Sequence, residues 1–261
     1  MSDDSGALKP APPAWRIAAV WTVLSMIATL LLMPYLMALF EGIDIPNRPP
    51  LPVLVLATVV QTGFLAFFLA WAGTAAGRKL GIGSPLVEAW FFGKRPPIPK
   101  TFAWAALLGA LGGLVIVLLD MIFASRMPTP LRGALPQPTP FQGLLASFYG
   151  GIAEEVLLRL GVASIAAWAL AKGIGFEGRG RTIALTFGVV FATLLFGAGH
   201  LPTAFTLWPP LPIVIVRTLL LNAIGGILAG IVYVRHGLEH AIVLHFTADI
   251  VLHVMTPLLR G

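Results

Sequence analysis

Residues 150–161 read GGIAEEVLLRLG and place two adjacent carboxylates and an arginine inside a long apolar segment. The whole chain carries only 11 acidic residues. Ionisable side chains at membrane depth are costly in free energy, so three of them in one apolar segment mark a candidate functional site. The cluster therefore predicts that this segment does more than cross a membrane.

Helical geometry separates the two carboxylates. Glu155 and Arg159 are four residues apart with the acid first, which is the favourable order for an ion pair on one helix face. Glu154 points about 100° away from Glu155 and has no such partner. Its face also carries glycines, which leave room for a neighbouring helix, a water molecule or a substrate backbone. We therefore interpret Glu155 and Arg159 as structural and Glu154 as the candidate for chemistry.

The composition is that of a membrane protein. Of 261 residues, 57% are hydrophobic and 11% are charged, whereas a soluble domain has about 25% charged residues. The apolar runs are continuous and much longer than the roughly ten-residue strands of a membrane barrel. We therefore predict an all-α fold, a polytopic transmembrane helix bundle of about seven spans, with an eighth span as the alternative.

Cysteine usage and charge narrow the possible functions. The chain has no cysteine, which excludes disulfides, thiolate catalysis and cysteine-based metal sites. The net charge of +6 lies mostly in the loops, where it suits the cytoplasmic face of a membrane. We therefore expect the lipid bilayer, and no nucleic acid, as a partner.

The apolar runs also give the approximate bounds of the spans. They are predicted at 17–40, 53–76, 101–124, 141–171, a fifth from about 182, 213–234 and 238–258. In the fifth span, Pro202 disfavours helix at Leu201, so we expect His200 to lie near a helix end. The uncharged, proline-broken segment 201–212 is then expected to be re-entrant or interfacial.

Lysine and arginine predict the orientation of the spans. With the N-terminus inside, 11 of these residues fall on inside segments, two fall within spans, and only Arg48, Arg126, Arg132 and Arg260 fall outside. Cytoplasmic loops carry an excess of positive charge. We therefore expect a multi-pass protein of the cytoplasmic membrane with its N-terminus inside. Its predicted parts are a polar tail at 1–14 and one transmembrane helical domain at 15–261.

Polar clusters occur in three of the late spans. The first is the 154–159 cluster, the second is His200, and the third is His245 with Asp249, four residues apart on one helix face. Helices of a bundle can bring such groups together in one internal cavity. We therefore predict that the carboxylate of Glu154 lies within the reach of one water molecule from His200 or His245.

A glutamate and two histidines in one cavity suit a hydrolase. Glu154 can take a proton from water, and a neutral histidine can share that task or donate to an oxyanion. The same three residues, Glu154, His200 and His245, equally form a zinc site of two histidines and one carboxylate with an open water position. A serine nucleophile is weakly supported, because nothing pairs Ser147 or Ser164 with a base.

The order of these motifs resembles the CPBP family of membrane proteins. EExxxR at 154–159, FxxxH at 196–200 and HxxxD at 245–249 follow one another on late spans, as in CAAX prenyl proteases of type 2 and bacteriocin-processing, Abi-like proteins. The resemblance covers 141–258, which would be the protease core. It implies a glutamic protease or a metalloprotease, with zinc as the one candidate cofactor.

The resemblance also implies roles for the individual residues. Glu154 would be the general base, and His200 would help to position and activate water. His245 would face the oxyanion, joined by Asp249, while Glu155 and Arg159 would hold the site in shape. Many members of the family have Asn at the position of Asp249, and an ionised carboxylate cannot donate a hydrogen bond. Asp249 is therefore protonated, or orients His245, or belongs to a metal site.

We therefore predict an intramembrane endopeptidase that hydrolyses a peptide bond with activated water. Its expected substrate is a membrane-associated peptide or protein, and prenylated CAAX ends are one candidate. One rival function is a non-catalytic binding or immunity protein of the same fold. The other is a proton- or cation-coupled transporter, which the lack of internal repeats disfavours.

Overall fold

The computed structural model describes residues 11–42, 49–94, 98–131 and 137–260 and is a bundle of helices. No β-strand occurs within these residues. Seven helical segments in this part of the chain are long and apolar enough to cross a membrane. The predicted all-α polytopic bundle is therefore confirmed, with seven spans.

The first three spans are continuous helices, and the fourth is irregular. α1 (Ala14–Leu39), α2 (Leu51–Arg78) and α4 (Thr101–Ala124) are the first three, with the short α3 (Pro85–Phe91) before α4. The fourth span, Pro140–Ile174, consists of α5 (Pro140–Phe148), two π-helical segments (Tyr149–Glu154 and Val156–Ala163) and α6 (Ser164–Ile174).

The last three spans complete the bundle. The fifth and sixth are α7 (Gly178–Leu207) and α8 (Pro212–His236). The seventh, Leu238–Leu259, contains α9 (Leu238–Asp249), a π-helical segment (Ile250–Met255) and the start of α10 (Thr256–Arg260). The bounds of α4 are those predicted from the sequence.

A capping box fixes the start of the fourth span. The backbone N–H of Gln142 donates to the Thr139 hydroxyl at 3.2 Å, and the Thr139 N–H donates to the Gln142 side chain at 2.8 Å. Pro140 follows the cap, at a position where its missing N–H costs no hydrogen bond. This start sets how deep the EExxxR motif lies in the membrane.

The predicted end of the fifth span is wrong. α7 continues through Pro202 to Leu207, so His200 lies inside the helix, and the segment 201–212 is not re-entrant. Proline removes one backbone donor, but a helix in lipid still satisfies more backbone groups than an open loop would. Only 208–211 separate α7 from α8.

The bundle has a solid half and a hollow half. Its main hydrophobic core lies towards the end of the bundle at which α1 begins, here called the N-terminal face. The buried residues of this core include Ile17, Ala70, Leu160, Leu185 and Tyr233. Each of these residues lies in the half of its span that points to that face. The other half of the bundle contains a cavity, and the residues predicted for chemistry lie where the two halves meet.

The three π-helical segments coincide with the polar motifs. One ends at Glu154, the next contains Arg159, and the third begins directly after Asp249. The wider turn of a π-helix shifts the direction of side chains and occurs often at functional sites. The regular helical spacing used for the sequence prediction therefore holds only approximately here.

Candidate active site

A cavity of about 730 Å³ occupies the hollow half of the bundle. Residues of all seven spans line it, and Thr58 is the one that α2 contributes. Four residues predicted for chemistry contribute to its wall: Glu154, His200, His245 and Asp249. The bundle therefore brings the three polar clusters to one cavity, within the size range of ligand-binding pockets.

Glu154 and His245 form the centre of this site. Oε2 of Glu154 lies 3.7 Å from Nε2 of His245. That distance is too long for a direct hydrogen bond, but one water molecule beside the two groups can contact both. About 20% of the Glu154 side chain is exposed, against 12% for His245. The carboxylate is thus within reach of water from the cavity.

Glu155 lies behind His245 and fixes the orientation of its ring. Nδ1 of His245 donates to Oε1 of Glu155 at 2.7 Å, which leaves Nε2 directed to Glu154. The same Oε1 lies 3.1 Å from Nη1 of Arg159, and both side chains of this ion pair are fully buried. A carboxylate behind the imidazole sets its tautomer and compensates a positive charge on it.

Arg159 is held by three groups on different helices. Besides the ion pair with Glu155, its Nη2 donates to the carbonyl of Gly226 at 3.2 Å, and its guanidinium lies 5.1 Å from the ring centre of Phe196. These contacts join the fourth span to α8 and α7. The expected ion pair is therefore present, and it belongs to the packing of the bundle.

Asp249 lies beside His245 and also near a further histidine. Its Oδ1 lies 3.7 Å from Nε2 of His245 and 3.9 Å from Nε2 of His253. Nδ1 of His253 in turn contacts the hydroxyl of Tyr35 at 3.3 Å. Carboxylates and imidazoles thus continue from Glu154 towards the cavity mouth.

His200 lines the same cavity but is held by α7. Its Nδ1 donates to the carbonyl of Phe196 at 2.8 Å. In the neutral imidazole the lone pair is then on Nε2. The ring of Phe196 makes edge contacts with both His200 and His245, at centroid distances of 4.7 and 5.6 Å. Phe196 thus contacts both histidines, and His200 forms no ion pair with Glu154 among the described residues.

Gly150 allows the carboxylate motif to approach the seventh span. A Cβ atom at this position would overlap Oδ2 of Asp249 and lie 3.2 Å from Nε2 of His245. Glycine is thus required here because the backbone of the fourth span runs directly past the two side chains.

Replacing Gly150 with alanine is expected to reduce activity strongly, because the added methyl group displaces Asp249 and His245. The matched control is Gly199→Ala, since a Cβ at Gly199 meets open space next to His200. Cleavage rates of the two variants, measured beside their melting temperatures in detergent, check this expectation. Equal rates for the two variants would contradict the close approach at Gly150.

Neither of the two candidate serines is in the cavity wall. The hydroxyl of Ser147 donates to the carbonyl of Gly143 at 2.9 Å. The hydroxyl of Ser164 forms a hydrogen bond with the hydroxyl of Tyr233 at 2.6 Å, and Ser164 and Tyr233 are both buried in the solid half of the bundle. The structure gives these serines packing roles.

The donor arrangement does not fit a metal. In the described part of the chain, no group of three or more His, Asp or Glu side chains is placed to hold a metal ion. The three-ligand zinc set predicted from the sequence is therefore not formed.

Several cavity residues were not predicted from the sequence. Tyr35, Tyr149 and His253 line the wall near the carboxylates. Near the mouth, Nε of Arg217 donates to Oδ1 of Asp120 at 2.6 Å, which joins α8 to α4. In the sequence, the charge of Asp120 inside an apolar span indicates that this residue needs a partner, but it does not identify Arg217 as that partner.

A family model matches the part of the chain that contains the EExxxR, FxxxH and HxxxD motifs. The model, described as Type II CAAX prenyl endopeptidase Rce1-like, matches residues 136–251. No curated protein and no solved structure matches the chain.

Proposed function

We propose that the protein hydrolyses a peptide bond inside the membrane with water activated by Glu154, because residues 136–251 match the model of the Rce1-like type II CAAX prenyl endopeptidases. The observation that carries this proposal is the pair of Glu154 and His245, 3.7 Å apart at the base of a cavity that is open to water. The family is one of membrane proteases, and the roles below are our assignment.

Glu154 is the general base. Its carboxylate takes a proton from a water molecule, whose oxygen attacks the carbonyl carbon of the scissile bond. The lone pair on Nε2 of His200 can accept a hydrogen bond from water in the same cavity and help to hold it. As the C–N bond breaks, Glu154 returns the proton to the leaving nitrogen.

His245 stabilises the oxyanion of the tetrahedral intermediate. In its doubly protonated form, Nε2–H can donate to that oxygen, while Glu155 behind Nδ1 compensates the charge of the ring. A donor already held in place needs little reorganisation when the negative charge develops. Asp249 lies next to Nε2 of His245 and helps to hold the imidazole ring in this orientation.

The substrate is a membrane-associated peptide or protein that enters the cavity from the bilayer or its surface. Apolar side chains of α1 and α7, including Leu32, Leu36, Leu195 and Leu207, form much of the wall. A lipidated CAAX end, the substrate class that the family description names, combines a short peptide with an apolar chain and suits such a wall.

A chelation experiment tests the metal-independent form of this proposal. Purified protein treated exhaustively with a chelator is expected to keep its full rate on a membrane-peptide reporter, because Glu154 activates the water. Elemental analysis of the same sample should find no stoichiometric zinc. A loss of activity that added zinc restores would favour the metalloprotease instead.

A further inference from the structure

Two residues beside the site lie outside the part of the chain that the family model matches, which is 136–251. They are His253, in the π-helical segment Ile250–Met255, and Tyr35 of α1. Both line the cavity together with Glu154 and Asp249. The family match therefore assigns no role to either residue.

One carboxylate oxygen of Asp249 lies between two imidazoles. Oδ1 of Asp249 is 3.7 Å from Nε2 of His245 and 3.9 Å from Nε2 of His253. The three residues follow one another at intervals of four and so lie on one side of the seventh span. Both distances are longer than a direct hydrogen bond, so a small shift of the carboxylate brings it to one imidazole or to the other.

His253 is held in place by its neighbours. Its Nδ1 contacts the hydroxyl of Tyr35 at 3.3 Å, and the two rings meet edge to face with their centroids 5.5 Å apart. Its backbone carbonyl lies directly against Gly143 of α5, where a Cβ atom would overlap it. The imidazole of His253 therefore has a defined position beside Asp249.

The same neighbours assign the tautomer of His253. A nitrogen lone pair is repelled by a carboxylate oxygen, whereas an N–H is attracted to it. Nε2 of His253 faces Asp249, so the proton of the neutral imidazole belongs on Nε2. Nδ1 is then the acceptor, and the hydroxyl of Tyr35 donates to it. Tyr35 thus favours the tautomer in which His253 can donate towards Asp249.

The negative charge of Asp249 competes with the proposed role of His245. The N–H at Nε2 of His245 has to be available for the oxyanion, and an ionised carboxylate is a strong acceptor for the same hydrogen. Glu154 lies 3.7 Å from the same Nε2, but it loses its negative charge when it takes the proton of water. Asp249 has no such step, so its charge is still present when the oxyanion forms.

We propose that His253, oriented by Tyr35, is a positioning residue that draws the carboxylate of Asp249 away from His245. It donates to Oδ1 of Asp249 directly or through one water molecule, which leaves the Nε2–H of His245 for the oxyanion. This inference rests on the proposed protease function and adds two residues to its site. It also gives a reason for the partner, because an uncharged asparagine at position 249 would not need one.

The test replaces His253 and Asp249 separately and together. His253→Phe keeps an aromatic ring against Tyr35 but removes the donor, and Asp249→Asn removes the charge that this donor holds. kcat and KM of each purified variant are measured on a membrane-peptide reporter, beside its melting temperature in detergent. Tyr35→Phe removes only one hydroxyl and gives the same comparison if His253→Phe does not fold. The control is His236→Phe, the same change at an exposed histidine on the N-terminal face.

We expect His253→Phe to lower kcat roughly tenfold, less than the 10²–10³-fold effect of removing an oxyanion donor outright. KM should stay unchanged, because the oxyanion is absent from the bound substrate and forms only during the reaction. Tyr35→Phe should cause a smaller loss of the same kind. In the Asp249→Asn background neither change should lower kcat further, and His236→Phe should cleave at the rate of the unmodified protein.

An equal loss with and without Asp249→Asn would overturn the proposal, since His253 would then act independently of Asp249. An unchanged kcat for folded His253→Phe, or an effect on KM alone, would overturn it as well. In these cases the unmodified protein still cleaves the reporter and Glu154→Gln does not, so the proposed function stands. If the unmodified protein does not cleave at all, the proposed function fails and this inference fails with it.

Discussion

Replacing Glu154 with glutamine is expected to lower the rate of peptide cleavage by about 10²–10⁴-fold, the usual contribution of a general base. Glutamine keeps the shape of the side chain and can still hydrogen-bond to water, but it cannot accept the proton. The ion pair of Glu155 and Arg159 is untouched by this change, so the protein should remain folded. Cleavage of a reporter peptide by purified protein, together with the melting temperature in detergent, measures both effects.

The control for this variant is Glu177→Gln, the same chemical change at an exposed carboxylate before α7. It should cleave at the rate of the unmodified protein. If Glu154→Gln also cleaves at that rate, Glu154 is not the base, and a binding or transport function of the cavity becomes the better account.

Replacing Glu155 with glutamine is expected to destabilise the protein by about 3–5 kcal/mol, the usual effect of breaking a buried ion pair. The change leaves the guanidinium of Arg159 buried with less compensation, and it replaces the charged acceptor of Nδ1 of His245 with a neutral amide. Arg159→Gln should cause a loss of similar size, because it leaves the buried carboxylate of Glu155 without its main cation. Thermal unfolding in detergent measures both variants.

The matched control is Glu88→Gln, which breaks an ion pair of nearly the same length. Nε of Arg78 lies 3.0 Å from Oε1 of Glu88, but about a quarter of each side chain is exposed. An exposed pair contributes only about 0–1 kcal/mol, so this variant should unfold close to the unmodified protein. Equal melting temperatures for Glu155→Gln and Glu88→Gln would contradict the structural role of the buried pair.

The number and type of the spans could be predicted because membrane thickness limits them directly. A helix needs about 20 apolar residues to cross the hydrocarbon core, and the seven runs of this length are visible in the sequence. The bounds of α4 were predicted to the residue, since Lys100 and Ser125 mark the polar ends of an apolar run. The cavity could also be anticipated, because buried ionisable groups need partners.

The local geometry of the site could not be predicted in the same way. Pro202 indicated a helix end, but the surrounding bundle keeps α7 helical to Leu207. The π-helical turns next to Glu154 and Asp249 have no clear sequence signature. Pairing between distant residues, such as His253 with Tyr35, depends on how the first span packs on the late ones. Such contacts arise from tertiary structure and leave no local pattern in the chain.

The most direct test of the central claim is a cleavage reaction of purified protein in ¹⁸O-labelled water. If Glu154 activates water for attack on a peptide bond, a membrane-peptide reporter will give two fragments in equal amounts. Mass spectrometry will find one ¹⁸O atom in the new carboxyl group, and Glu154→Gln will give neither fragment at a comparable rate. An intact reporter after prolonged incubation with the folded protein, or fragments without ¹⁸O, would contradict the account.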